Sequence, residues 1–284
     1  MAGTLCCTVV PLGGQGASCA EGLGATVRPY LEVYAHRGGA GLAPENTLAA
    51  FRKAMELGVE AMEMDLHVTR DREVIVIHDE TLDRTTDGRG SVADLSLDEV
   101  KRWDAGAKFA PAFRGERIPT LQEVIELVRV AGNARIRLVL EIKFHPDHPG
   151  KPDDFERRVL DILRETGFVE RVNVISFYHP SLARMKILEP RMRTGLLAGG
   201  RQAPRDPVAL VRQYQADYYS PNFQHVTAEA VAALHLAGIP VVPWTVNEES
   251  DMRRIIGLGI GTMQRDAITT DYPDRAVKLL KEHP

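Results

Sequence analysis

The 284-residue chain reads as an α/β protein of the (β/α)8, or TIM, barrel class. Three observations predict this. Short β-rich apolar runs alternate with amphipathic segments, the pattern of a parallel sheet covered by helices. Eight such runs can be placed, near 33–36, 59–65, 137–142, 172–177, 193–197, 216–220, 240–245 and 267–270. The length suits an α/β barrel, in which about 250 residues fold as one domain. The intervening helices include about 47–57, 121–131, 153–166, 180–188, 206–214, 227–237 and 248–257. The expected organisation is a flexible leader over residues 1–30 and one barrel domain over 31–284, with a small subdomain inserted at about 82–118 after the second barrel strand.

The first run, Val33 to Ala35, ends in the charged pair His36-Arg37 and then Gly38-Gly39, which permit tight turns. Pro44-Glu45-Asn46-Thr47 follows and opens an amphipathic helix with Leu48, Phe51, Ala54 and Met55 on one stripe. Asn46 or Thr47 is a natural N-cap for it, and Glu45 a first-turn acid that complements the helix dipole.

The second run holds Glu63 and Asp65. In a strand, residues at i and i+2 share one face, so two carboxylates point the same way at the end of an apolar strand. Like charges that close are costly unless a cation joins them, and hard divalent cations prefer carboxylate oxygens. A half-built metal site is one reading, and a solvated strand end with an arginine for company is the other. His67 has the same parity but lies beyond the expected strand end. The distance from Asp65 to His78 is too short for a crossover helix and suits a hairpin with a turn of about four residues. The return strand Val74–Ile77 then brings His78 back level with the carboxylates, and Asp79 either orients His78 or caps the turn.

Residues 82–118 break the alternation, with turn signals at Asp87-Gly88 and Gly90 and a helix-like stretch from Ser96 to Trp103. In the run Arg137–Lys143, Glu141 and Lys143 share a face. They either pair with each other or supply a third oxygen ligand and a phosphate partner. Phe177 and Trp244 stand at strand ends, as wall or as core. His145, His148, His179, His225, His235 and His283 fall in loops, helices or the tail and are read mostly as surface residues, with His145 and His148 close enough to Lys143 to leave a role open.

Together these words resemble the glycerophosphodiester phosphodiesterase family. They are His36-Arg37-Gly38, Pro44-Glu45-Asn46-Thr47, Glu63-x-Asp65, Thr69-x-Asp71, Val76-Ile77-His78-Asp79, Leu82-Asp83-Arg84-Thr85-Thr86-Asp87-Gly88, Ile118-Pro119-Thr120-Leu121, Glu141-Ile142-Lys143, Ser176-Phe177, Trp244-Thr245-Val246-Asn247 and Thr270-Asp271-Tyr272-Pro273. Each is weak alone; their order and spacing over about 32–280 are not. Residues 1–30 have no counterpart in that pattern, and Gly259–Asp266 is a few residues longer, on the face away from the chemistry of a barrel.

The resemblance implies a metal-dependent hydrolase of glycerophosphodiesters such as glycerophosphocholine, giving glycerol 3-phosphate and an alcohol through a cyclic phosphate. One divalent cation, Mg²⁺, Ca²⁺ or Mn²⁺, would sit on Glu63, Asp65 and Glu141. Arg37 and Lys143 would bind phosphate, and His36 and His78 would be the acid and base, in either order. Glu45, Asn46, Asp79, Phe177 and Trp244 would support them. A lysophospholipase D with the same chemistry and a non-catalytic phosphate-binding barrel are the competing readings.

The net charge of −4 and the lack of a basic run argue against a nucleic-acid binder. Cys6, Cys7 and Cys19 all lie in the leader, which excludes a disulfide framework or thiolate zinc site in the body. No stretch reaches the roughly 20 apolar residues of a transmembrane helix, and no convincing signal peptide is seen, so the expected location is the cytoplasm. Oligomeric state is not legible.

Overall fold

The computed structural model of the protein describes residues 30–143, 154–200 and 204–282. The leader as far as residue 29, its three cysteines, and His145, His148 and His283 lie outside these residues.

The strands are β1 (Glu32–Ala35), β2 (Ala61–Val68), β3 (Val74–Val76), β4 (Arg137–Ile142), β5 (Val172–Ser176), β6 (Arg193–Ala198), β7 (Tyr218–Pro221) and β8 (Ala267–Thr270). All pair in parallel in the order β7-β6-β5-β4-β2-β1-β8 except β3, which pairs antiparallel with β2. The helices are α1 (Leu48–Leu57), α2 (Leu97–Val100), α3 (Leu121–Val130), α4 (Phe155–Thr166), α5 (His179–Leu188), α6 (Pro207–Gln213), α7 (Ala228–Leu236), α8 (Glu249–Gly257) and α9 (Pro273–Glu282). None of the described helices is long and apolar enough to cross a membrane.

The run expected as a strand at 240–245 forms no regular strand. It touches β7 only through the isolated bridges Tyr219–Val241 and Asn222–Trp244. Pro221 and Pro240 on the β7 side and Pro243 on the β8 side have no N–H to give, so both ladders are interrupted there. The segment still holds the gap between β7 and β8. The N–H groups of Val242 and Trp244 donate to the carbonyls of Tyr219 and Pro221, while those of Ala267 and Thr269 donate to Val241 and Pro243. With this segment as the seventh member, the ring of eight is complete.

β2 runs three residues past its expected end because β3 returns along it: Leu66, His67 and Val68 pair with Val76, Ile75 and Val74. His67 therefore lies in the strand, not beyond it. Its Nε2 meets the carbonyl of His78 at 3.0 Å, and burial lowers its pKa. The hairpin turn closes with Arg72 in the left-handed region (φ 70°) and the Thr69 N–H donating to the Glu73 carbonyl.

The barrel interior is filled by Tyr34, Ala61, Val139, Ile175, Leu197, Tyr218, Val242 and Ala267, one residue from each of the eight segments. Outside the ring, the apolar stripes of the helices pack on the alternate strand residues, with Phe51, Leu121, Val159 and Met185 fully buried. Residues 82–118 wrap a separate small core of Leu82, Val92, Val100, Ala105 and Ile118 against Ile75 and Ile77 of the hairpin. Thr47, Ser96 and Thr120 cap α1, α2 and α3, the last two in reciprocal capping boxes with Glu99 and Glu123. The long approach to β8 is gathered on buried Asp266, which accepts from the N–H groups of Gly261, Met263 and Val241 and meets His235 Nε2 at 3.1 Å. His179, His225 and His235 are half-buried, not surface, residues.

One interior contact leaves no slack. A Cβ on Gly195 would fall 2.1 Å from Tyr218 Cζ, so Tyr218 crosses the barrel only because β6 has no side chain at that point. Gly195→Ala is expected to destabilise the protein by about 1–3 kcal/mol through overpacking. The check is a lowered urea midpoint at constant slope.

Candidate active site

Stepping two residues along each strand from the interior cluster, toward the carboxyl end, keeps the same face. Tyr34 leads to His36, Ala61 to Glu63, Val139 to Glu141, Ile175 to Phe177, Tyr218 to Ser220, Val242 to Trp244 and Ala267 to Thr269. Every one of these lines a single cavity of about 100 Å³, joined by Arg37, His78 and Lys143. The sequence-predicted residues thus meet at one end of the barrel, the carboxyl ends of its strands.

At the floor lie Glu63, Asp65 and Glu141, whose ligand oxygens all fall within 4.8 Å of one another. All three are buried, with Asp65 fully so. Asp65 and Glu141 are direct register partners on β2 and β4. Burial, then repulsion from Asp65 and Glu141, raises the pKa of Glu63 well above the ordinary carboxyl value. Glu141 is pushed up to about 7 by burial and by Asp65, against the pull of Lys143. Burial also raises Asp65, but Lys143 and Arg37 overcome it and hold the group ionised. Lys143 Nζ lies 2.9 Å from Glu141 Oε1 and 3.2 Å from Asp65 Oδ1. The pairing of Lys143 with Glu141 is thus real, and Asp65 is added to it. Glu63 Oε1 and Asp65 Oδ1 are buried without an aligned hydrogen-bond donor. Crowded carboxylates with such oxygens are a hard-cation donor set, so the residues present fit a divalent ion.

The residues around the floor are fixed one by one. Arg37 adopts φ 51° in the turn after β1, which aims its N–H at Glu63 Oε2 (2.9 Å). Its Nη1 donates to Glu45 Oε1 at 2.9 Å, and Nε lies 3.4 Å from Asp65 Oδ2. Asn46, at φ 58°, grips Asp65 twice: Nδ2 donates to Oδ2 at 2.8 Å and Oδ1 accepts from the Asp65 N–H at 3.4 Å. The capping role falls to Thr47 alone, and Glu45 is an arginine partner ahead of the helix, not a first-turn acid.

Both histidines are oriented by a carboxylate. His36 Nδ1 meets Asp271 Oδ1 at 2.6 Å, and its Nε2 lies 3.9 Å from Glu63 Oε2. His78 Nδ1 meets Asp79 Oδ1 at 2.6 Å. Carboxylates accept, so each Nδ1 carries a proton, and it is Nε2 of each ring that is left to take up or give up one. Burial, ahead of its charged neighbours, lowers the pKa of His78. At the rim, Phe177 and Trp244 meet edge to face at 5.4 Å, and Trp244 Nε1 donates to the Ser220 carbonyl.

Asp271 and Asn247, which the sequence offers only as parts of longer motifs, also bear on the site. Asn247 Nδ2 donates to Asp271 Oδ2 at 2.7 Å, completing a His36-Asp271-Asn247 chain. The usable signal was an acid directly after the last strand, where side chains reach the barrel mouth.

The family model for the glycerophosphoryl diester phosphodiesterase family matches residues 36–275. A glycerophosphodiester phosphodiesterase of Caldanaerobacter subterraneus is 39% identical over 251 residues, covering 88% of this chain and 98% of that protein. One from Bacillus altitudinis is 36% identical over 253 residues, covering 88% and 98%. Among solved structures, an Oleispira antarctica phosphodiesterase in complex with the product sn-glycerol-3-phosphate superposes with a TM-score of 0.78 at 27% identity, over 89% of this chain and 97% of that one.

Because Glu63 and Glu141 hold protons more readily than ordinary carboxyls, a cation must displace them. Affinity for Mn²⁺ should therefore rise about tenfold between about pH 6 and about pH 8, across the Glu141 value of about 7, with proton release. Calorimetry in two buffers of different ionisation heat reads both quantities; affinity flat with pH would contradict it.

Proposed function

The chain belongs to the glycerophosphoryl diester phosphodiesterase family, and we propose that it hydrolyses small, deacylated glycerophosphodiesters, such as glycerophosphocholine or glycerophosphoethanolamine, to glycerol 3-phosphate and an alcohol. The observation that carries this reading is the pair of imidazoles, His36 and His78, each locked by an aspartate beside one three-carboxylate floor. The catalytic unit is the barrel from residue 31 onward together with the segment 82–118.

Glu63, Asp65 and Glu141 would hold one Mg²⁺, Ca²⁺ or Mn²⁺, which when bound polarises a phosphoryl oxygen and lowers the pKa of a coordinated hydroxyl. Charge supports a dication: among the described residues, the three carboxylates face two fixed cations, Arg37 and Lys143, while Arg84 is held outside the floor by Glu45 and Asp79. Adding two positive charges leaves the floor with one in excess, suited to a singly charged phosphodiester.

Arg37 presents a planar donor set to the phosphate oxygens, and Lys143 contributes a compact charge beside them. One imidazole Nε2 takes the proton of the substrate's glycerol hydroxyl, whose oxygen attacks phosphorus. The other, protonated, gives its proton to the departing alcohol as the P–O bond breaks. Water then opens the cyclic phosphate with the two histidines in exchanged roles. Among the described residues the cavity is small and its apolar lining is Ile175, Leu197, Phe177 and Trp244, which favours a compact diester over a lysophospholipid.

The test is release of glycerol 3-phosphate from glycerophosphocholine after chelation, then with Mg²⁺, Ca²⁺ or Mn²⁺ restored singly, with lysophosphatidylcholine in parallel. Release restored by metal from the water-soluble diester is expected. His36→Ala and His78→Ala should each lower kcat by about 10²–10⁴-fold; wild-type rates in both would overturn the mechanism.

A further inference from the structure

Arg84 opens the segment that follows the hairpin and is not among the residues lining the cavity. Its guanidinium nevertheless joins two of the side chains that hold the proposed machinery. One edge grips Asp79: Nε donates to Oδ2 at 2.7 Å and Nη2 to Oδ1 at 3.0 Å. The other grips Glu45: Nη1 donates to Oε2 at 2.8 Å and Nη2 to Oε1 at 2.8 Å. Asp79 Oδ1 is the atom that meets His78 Nδ1, and Glu45 Oε1 is the atom that accepts from Arg37 Nη1.

We propose that Arg84 is a positioning residue that ties the His78-Asp79 pair to the Arg37-Glu45 pair, setting the imidazole and the phosphate-binding guanidinium in one fixed relation. The inference rests on the roles of His78 and Arg37 proposed above. Only a planar fork can engage two carboxylates along two edges at once, so lysine is not an equivalent. The side chain is 46% exposed but its partners Glu45 and Asp79 are only 16% and 27% exposed, so the four bonds fix the position of both carboxylates as well as adding to stability. A displacement of about 1 Å in a reacting group is enough to cost about a hundredfold in rate.

The hydrogen bond from Arg84 is also the leading cause that holds the Asp79 pKa low. His78 is faced by Asp65 from β2, by Lys143 after β4, by Arg37 from the turn after β1 and by its neighbour Asp79. Of these, Asp79 alone is bonded directly to Arg84. Without the guanidinium, the Asp79 charge acts undiluted on the imidazolium.

The experiment compares Arg84→Gln, Arg84→Lys, Asp79→Asn, the Arg84→Gln/Asp79→Asn double variant and His78→Ala. All are measured in the full chain, loaded with the activating cation, on glycerophosphocholine. Arg84→Gln is expected to lose about 10–100-fold in kcat/KM, mostly in kcat, with Mn²⁺ affinity unchanged. The limb of the pH profile belonging to His78 should move to higher pH. The double variant should lose less than the product of its two single losses. Arg84→Lys should stay well below wild type, and it decides the matter if the glutamine variant folds poorly. Wild-type kcat/KM and an unshifted profile in either Arg84 variant, or losses that multiply fully, would overturn the inference. His78→Ala at wild-type rate would remove the reading beneath it; an inactive His78→Ala beside fully active Arg84 variants removes the inference alone.

Discussion

Three carboxylates held within 4.8 Å of one another, out of water, are the constraint on which the rest of this structure turns. Burial and mutual repulsion oppose their ionisation, so the surrounding chain must supply positive charge and donors at fixed points. Lys143 arrives two residues beyond Glu141 on the same face. Arg37 and Asn46 arrive from the turns after β1, both in the left-handed backbone region that side chains other than glycine seldom adopt. Each is held there by what it grips: the Arg37 N–H bonds Glu63, and the Asn46 amide bonds Asp65. The backbone strain is local, and the donors it aims are those the carboxylates lack.

A second rank of acids and amides fixes the groups that face the cavity. Asp271, braced by Asn247, sets His36; Asp79 sets His78; Glu45 sets Arg37. Arg275 Nη1 donates to the Asn247 carbonyl from α9, so even the last helix bears on the His36 limb. The mouth of the barrel is thus encircled by alternating charges drawn from β1, β2, β4, β8 and the segment after the hairpin. The proline-interrupted stretch 240–247 contributes Trp244 and Asn247 while completing the ring without a full ladder.

Much of this was legible in the chain. Parity alone put Glu63 with Asp65 and Glu141 with Lys143, because alternation in a strand is a local property of the backbone. The brevity of the link to His78 implied the hairpin, and the glycines after Arg37 implied the turn. The exceptions have physical causes. His67 lies inside the strand, not beyond it, because strand length depends on pairing with β3 and not on the residues of β2 alone. The run at 240–245 reads as a strand from its apolar residues, whereas the missing N–H groups of Pro221, Pro240 and Pro243 interrupt its ladders on both sides. Glu45 looked like a helix-dipole acid because its arginine partners are eight and thirty-nine residues away.

The sequence by itself determined the barrel class, the face on which each strand residue lies, and the types of group that would share one end of the barrel. These follow from the period of two residues and from the chemistry of side chains. Only the tertiary structure decided which acid holds which base. Asp271 lies 235 residues from His36, and Arg84 lies 39 from Glu45. The first pairing is made by closing the ring, which brings the first and last strands side by side, and the second by folding the segment after the hairpin onto the turns after β1; no local periodicity encodes either contact.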